Sequence, residues 1–174
     1  LWARNPDFAK LIDRERRNRK YLPNTTLPNA VRVTSSLEVA SQSSKIWVFA
    51  TPTQAMRSVA EGLAPFAGTD TVAVSVSKGI ENHTMLTTTG ILREAIPGLR
   101  PGATGVLYGP SHAEEVAIGV PTAAVAASNN EDTARIIQTV FNAPSLRVYI
   151  NLDVVGVEIA GSVKNIMAIA AGIS

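Results

Sequence analysis

Short apolar runs alternate with stretches of helical periodicity along most of the chain. The runs are VRV (31–33), KIWVFA (45–50), TVAVSVS (71–77), TGVLYG (104–109), TAAVAAS (122–128) and LRVYI (146–150). They are rich in β-branched residues and nearly continuous rather than alternating, the pattern of strands covered on both faces. Helices are predicted between them over 6–18, 36–41, 53–65, 84–96, 111–118 and 130–142. Several carry start signals: Pro6 in a first turn, Thr53 after a proline, Ser111 with Glu114 three residues on, and Asn130 before Glu131 and Asp132. Strand and helix alternating at this spacing predict an α/β fold with an open, mostly parallel sheet.

After residue 150 the rhythm changes. A single helix is predicted from about Leu152 to Ser174, roughly 33 Å long at 1.5 Å per residue and too long for an ordinary crossover. This divides the chain into a sheet domain over 1–150 and the start of a helical domain over 151–174. The same stretch is the most apolar in the sequence, but Glu158, Lys164 and Asn165 lie in its middle, where charge is costly in lipid. A buried or site-lining helix is expected there, not a membrane span. Leu1 stands where a chain would start with Met, and Ser174 ends the sequence inside a helical pattern, so a segment of a longer protein is expected.

Composition narrows the classes. A chain of 174 residues, 45% hydrophobic and 17% charged, can bury a core of about one domain, which excludes disorder. The absence of Cys excludes disulfide frameworks, thiolate zinc sites and a cysteine nucleophile. His83 and His112 have neither triad nor metal spacing, so no metal site is expected. The first residues hold no apolar stretch long enough for a signal peptide, and cytoplasm is the default location. Residues 1–34 carry eight Lys/Arg against three Asp/Glu, concentrated in RERRNRK from Arg14 to Lys20. Interleaved Asp13 and Glu15 favour a solvated helix end over a nucleic-acid patch.

Ligands of open α/β sheets sit at the carboxyl ends of the strands. Three such loops hold candidate chemistry: Ala50 to Gln54 around Pro52, Ser77-Lys78-Gly79, and Tyr108 to Ser111. Lys78 is placed there as a cation for a phosphate. Gly109-Pro110-Ser111 opens a helix whose exposed N–H groups suit an anion, with Ser111 as a cap. Lys164 shares its helix face with Val157, Ala160, Gly161, Ala168 and Ala171, so desolvation suits it to acid–base work. No G-x-G-x-x-G occurs in the chain, and its expected place is before Leu1. Arg4 then stands where a second strand's end discriminates a ribose hydroxyl from a 2′-phosphate, which favours NADP.

The stretches LWARNP, YLPNTTLP, IWVFATPTQAMRSV, SVSKGIE, LYGPSHAEEVAIGVPTAAVAAS and VVGVEIAGSVKNIMAIAAGIS run in order along the chain. Together they resemble the bacterial-type NAD(P)-dependent glycerol-3-phosphate dehydrogenases, over essentially the whole length. The resemblance implies a Rossmann domain feeding an all-helical domain, with NAD or NADP as cofactor. It implies interconversion of sn-glycerol 3-phosphate and dihydroxyacetone phosphate, in glycerophospholipid precursor synthesis. It implies Lys164 as the catalytic lysine and Lys78 in contact with both cofactor and substrate. Gly109 and Ser111 would line the substrate site, Pro52 and Ala113 would approach the cofactor, and Arg4 would lie near the adenosine end. A phosphorylated small molecule is the implied partner, with no nucleic acid and no membrane span; a homodimer is compatible with it. His112 departs from the family, which usually has Phe or Tyr there. The family's later Asp and Ser-Arg-Asn run are absent, so the isolated chain is expected to be inactive.

Three other readings compete. A related β-hydroxyacid-type dehydrogenase would also place a lysine on the long helix. A binding module would use RERRNRK to hold an anionic polymer, with steep salt dependence. An inactive fragment would expose an unpaired sheet edge.

Overall fold

The computed structural model describes residues 1–42 and 44–173; Ser174, the predicted end of the long helix, lies outside them. Its centre is a five-stranded sheet of β3 (Ile46–Phe49), β4 (Val72–Ser75), β5 (Thr104–Tyr108), β6 (Thr122–Ala127) and β7 (Leu146–Asn151), in that spatial order. The pairs β3–β4, β4–β5 and β6–β7 are parallel, and only β5–β6 is antiparallel. The mostly parallel α/β sheet is therefore present, and its strands coincide with five of the six predicted runs.

The near-continuous apolar runs have their expected cause. Along β4, Ala73 faces a core with Trp47, Met56, Ile91 and Leu92, while Val72 and Val74 face the opposite core with Ala126, Ile137 and Val148. The first core is covered by α3 (Thr53–Leu63) and α4 (Thr88–Ala95), and the second by α6 (Glu131–Phe141). A third cluster, Val106, Tyr108, Ala127 and Val154, extends the first face under α7 (Val154–Ile173).

Local chemistry explains most boundaries. Asn5 caps α1 (Pro6–Glu15) by accepting from the Phe8 N–H, and Asn130 caps α6 by accepting from Thr133. Asp153 Oδ1 accepts from the Gly156 N–H at the start of α7. The short α2 (Leu37–Gln42) leads into β3.

Four expectations are corrected. The first helix stops at Glu15, not residue 18, because Arg16 turns left-handed at φ 54° and its guanidinium bonds Asp13 and the carbonyls of Pro28 and Val31. The chain then forms an unpredicted hairpin, β1 (Arg17–Asn18) with β2 (Leu22–Thr26). VRV is not a strand: Val31 closes a turn onto Pro28, and Thr34 alone bridges Trp2. The helix expected from residue 84 starts at Thr88, because Thr84 is turned back onto Glu81. The helix expected from Ser111 is α5 (Ala113–Ala117); His112 occupies the cap position without a side-chain bond, so Ser111 does not cap it.

The long helix is also less buried than expected. Among its described residues only Val154 and Glu158 are buried. It is long and apolar enough to cross a membrane by length and composition, yet its first turns pack on β5 and β6.

Packing at the sheet centre is tight enough to test. A Cβ on Gly105 would lie 2.5 Å from Ile137 Cδ1 and 2.8 Å from the Ala127 carbonyl oxygen, and the backbone cannot step aside. Gly105→Ala is therefore expected to destabilise the fold by about 1–3 kcal/mol. The urea unfolding midpoint should drop accordingly; an unchanged midpoint would show that β5 and β6 can part without cost.

Candidate active site

Because β3, β4 and β5 are parallel, their carboxyl ends and the three candidate loops meet at one sheet edge. After β3, Thr51 Oγ1 is buried with no hydrogen-bond partner among the described residues. Exposed Pro52 occupies the cap position of α3; its carbonyl accepts from the Ala55 N–H, and no side chain caps the Thr53 and Gln54 N–H groups. After β4, the Lys78 carbonyl accepts from Thr53 Oγ1 at 2.9 Å. Gly79, at φ 132°, lets this loop lie against Thr53, where a side chain would be strained.

Lys78 Nζ donates to the Gly109 carbonyl at 2.9 Å and sits 5.9 Å from the centroid of the Tyr108 ring. Gly109 is required by close approach: a Cβ would stand 2.6 Å from the Ala123 carbonyl oxygen. Lys164 arrives at the same point from α7. Burial first, then the charge of Lys164 and a hydrogen bond with it, hold the Lys78 amine below the ordinary lysine range. Lys78 and Lys164 are both half-buried.

The remaining candidates are less engaged. Ser111 is half-buried, and Ala113, the first residue of α5, is exposed. Arg4 is exposed just beyond the Trp2–Thr34 bridge, and no hydrogen bond or ion pair among the described residues ties it to Lys78, Gly109 or Lys164. The structure thus joins Lys78, Gly109 and Lys164, sets Pro52 and Ser111 on adjoining loops and Ala113 at the start of α5, and shows no link from Arg4 to them among the described residues.

Sequence reasoning missed the layer beneath. Tyr108, 3% exposed, lies under Lys78 and against Gly161 of α7. Its hydroxyl bonds the Ser77 carbonyl and lies 3.0 Å from Thr88 Oγ1. Thr88 Oγ1 also lies 2.8 Å from Glu158 Oε1, so it joins the phenol to the buried carboxylate. Glu158, 1% exposed, accepts from Thr87 Oγ1, Thr88 Oγ1, Thr89 Oγ1 and the Thr89 N–H at 2.7–2.9 Å. The signal was present as one glutamate in an apolar helix and three consecutive threonines elsewhere, but no spacing rule links them.

The model of the NAD-dependent glycerol-3-phosphate dehydrogenase N-terminus matches residues 1–134. The chain belongs to this family. The glycerol-3-phosphate dehydrogenase [NAD(P)+] 1 of Salinibacter ruber is 50% identical over 174 residues, all of this chain and 51% of its own length. That of Chlorobium luteolum is 47% identical, covering 100% of this chain and 52% of its own. The crystal structure of glycerol-3-phosphate dehydrogenase from Coxiella burnetii superposes with a TM-score of 0.88 at 31% identity, over all of this chain and 52% of that one. The chain therefore spans about half the length of the curated relatives it matches. Within this glycerol-3-phosphate dehydrogenase family portion, the Rossmann-like sheet and the first long helix are both present.

Tyr108 gives the site a pH signature. Burial, opposed by the Thr88 hydrogen bond and reinforced by the Glu158 charge, pushes its phenol up to about 12. The unfolded phenol loses its proton first, so stability should fall as pH rises from about 10 toward 12, by up to about 3 kcal/mol. Urea melts between about pH 9 and 11 should show a shallower fall for Tyr108→Phe than for the wild type; equal slopes would refute the assignment.

Proposed function

We propose that the chain is the cofactor-binding part, with the first helix of the substrate-binding part, of an enzyme that interconverts sn-glycerol 3-phosphate and dihydroxyacetone phosphate with NAD(P). Glycerophospholipid precursor synthesis is the setting. The meeting of Lys78 and Lys164 above Tyr108, at the carboxyl edge of a sheet of this family, carries the reading. Residues 1–150 then form the cofactor domain, and 151–174 open a helical substrate domain.

The residues present fit part of a nicotinamide dinucleotide. Thr51 Oγ1 is an orphaned buried oxygen at the edge where the cofactor would lie, and the uncapped start of α3 adds N–H donors. Pro52 and Ala113 would flank it, with Arg4 near the adenosine end, where a guanidinium favours a 2′-phosphate and hence NADP. When bound, the cofactor supplies the hydride.

The chain's own residues supply position and a proton. Lys164 gives its proton to the carbonyl oxygen of dihydroxyacetone phosphate in reduction and takes it back in oxidation. Lys78, oriented by the Gly109 carbonyl, contacts substrate and cofactor. Gly109 and Ser111 line the substrate side. Two adjacent ammonium groups repel each other, and an anionic substrate or a developing alkoxide between them relieves that repulsion. The pair therefore favours a negatively charged, phosphorylated small molecule.

A cytoplasmic enzyme without nucleic-acid or membrane binding is consistent with how the charges are used. Arg16 bonds inward, Arg17 bonds Thr26, and Arg19 pairs with Glu15, so RERRNRK is largely spent within the chain. Glu158 ties α7 to α4, which disfavours reading that helix as a membrane span.

The test uses protein expressed from the complete reading frame. Dihydroxyacetone phosphate should drive oxidation of NADPH, and Lys164→Ala should lower kcat by on the order of 10²–10⁴-fold. Arg4→Ala should reduce the preference for NADPH over NADH. A folded, cofactor-binding protein that oxidises neither in response to dihydroxyacetone phosphate would overturn the substrate assignment.

A further inference from the structure

Little holds α7 to the sheet. Beyond its first turns the helix exposes Ile166, Met167, Ile169 and Ile173, yet from its middle it must deliver Lys164 to Lys78. A lysine on so lightly seated a helix reaches a fixed partner only if the rotation and depth of the helix are set nearby. Glu158, Gly161 and Lys164 follow one another at three-residue spacing, each about 60° round the helix from the last. The first two make the contacts that can do so.

Glu158 takes four donors from Thr87–Thr89, the cap and first turn of α4, two on each oxygen. Among the described residues no ion pair competes for it. Gly161 lies flat on Tyr108: a Cβ would stand 2.5 Å from Tyr108 Cδ2 and 3.0 Å from Cε2. Thr88 closes the circuit, touching both Glu158 and Tyr108, and the Tyr108 ring in turn lies beneath Lys78.

We propose that Glu158 is a positioning residue: clamped to the first turn of α4, it sets the depth at which α7 rests on Tyr108 and so brings Lys164 to Lys78. Its catalytic consequence rests on the reaction proposed above; its geometric consequence does not. The titratable groups facing Lys78 are Lys164 from α7 and Tyr108 from β5. If the clamp is released, α7 lifts, Lys164 withdraws, and one cause of the lowered Lys78 amine weakens. Lys78 then moves up toward the ordinary lysine range.

The test reads Lys78 directly. Protein from the complete reading frame is labelled with acetic anhydride across a pH series, and modification at Lys78 is quantified by mass spectrometry. Kinetics with dihydroxyacetone phosphate and NADPH run in parallel. Glu158→Ala is expected to raise the Lys78 labelling midpoint by roughly half a pH unit or more. It should lower kcat about tenfold or more, with KM changing less than about threefold. Glu158→Gln, which keeps the shape and can still meet the threonine hydroxyls, should restore most of both. Gly161→Ala, which lifts α7 off Tyr108 without touching the carboxylate, should reproduce the midpoint shift.

A folded Glu158→Ala protein with an unmoved Lys78 midpoint overturns the proposal. Where Glu158→Ala does not fold, an unmoved midpoint in Gly161→Ala overturns it instead. Midpoints that shift as expected in a protein that never reduces dihydroxyacetone phosphate uphold the clamp and defeat the functional reading.

Discussion

The carboxylate of Glu158 is the constraint on which the site rests. Leaving a charged group buried and unpaired costs several kcal/mol, so it must be met by donors or not be there. Here the donors come from one turn of another helix, three hydroxyls and a backbone N–H, at the end where the helix dipole favours negative charge. Satisfying Glu158 therefore requires α4 and α7 to meet in one arrangement. A merely apolar contact would tolerate sliding; four directional bonds do not.

That arrangement needs α4 itself to be held, and a second charged cluster holds it. Arg57 of α3 bonds Glu81 through Nε and Nη2 and Glu94 through Nη1, while Thr84 also donates to Glu81. The Arg57 hydrogen bonds, then that of Thr84, keep the Glu81 carboxyl below its usual range. The cluster fastens the segment before α4 to α3. His83 and Met85, both with positive φ, make the turn that places Thr87–Thr89. Support thus passes from α3 through Glu81 to the start of α4, then through Glu158 to α7 and Lys164.

Strand direction supplies the rest. Since β6 and β7 run against β5, the chain leaves β7 at the opposite edge from the loops after β3, β4 and β5. The long helix must travel back across the sheet, over Val106 and then Tyr108, before Lys164 reaches Lys78. A fully parallel continuation would have started α7 at the site and carried its middle away from it. Tyr108 serves this return twice: its face accepts Gly161, and its ring lies under the Lys78 ammonium.

Features that depend on near neighbours along the chain were decided by the sequence alone. Five strands, the helices between them, the Asn130 cap and the candidate residues at the strand ends follow from hydrophobic period, turn residues and the rule that ligands sit at carboxyl edges. Lys78, Gly109 and Lys164 could be chosen that way because each stands out in its own segment. Features that depend on distant partners could not be read. Arg16 ended a helix early to bond carbonyls 12 and 15 residues away. Thr84 left a helix for Glu81, and the pairing of Glu158 with Thr87–Thr89 spans about seventy residues. Nor could the long helix be read as exposed, since its apolar composition says only what it tends to bury. The meeting of the two lysines was likewise a tertiary outcome. Desolvation and repulsion depend on the space shared by two side chains, and only the folded chain brings the two half-buried lysines, Lys78 and Lys164, together.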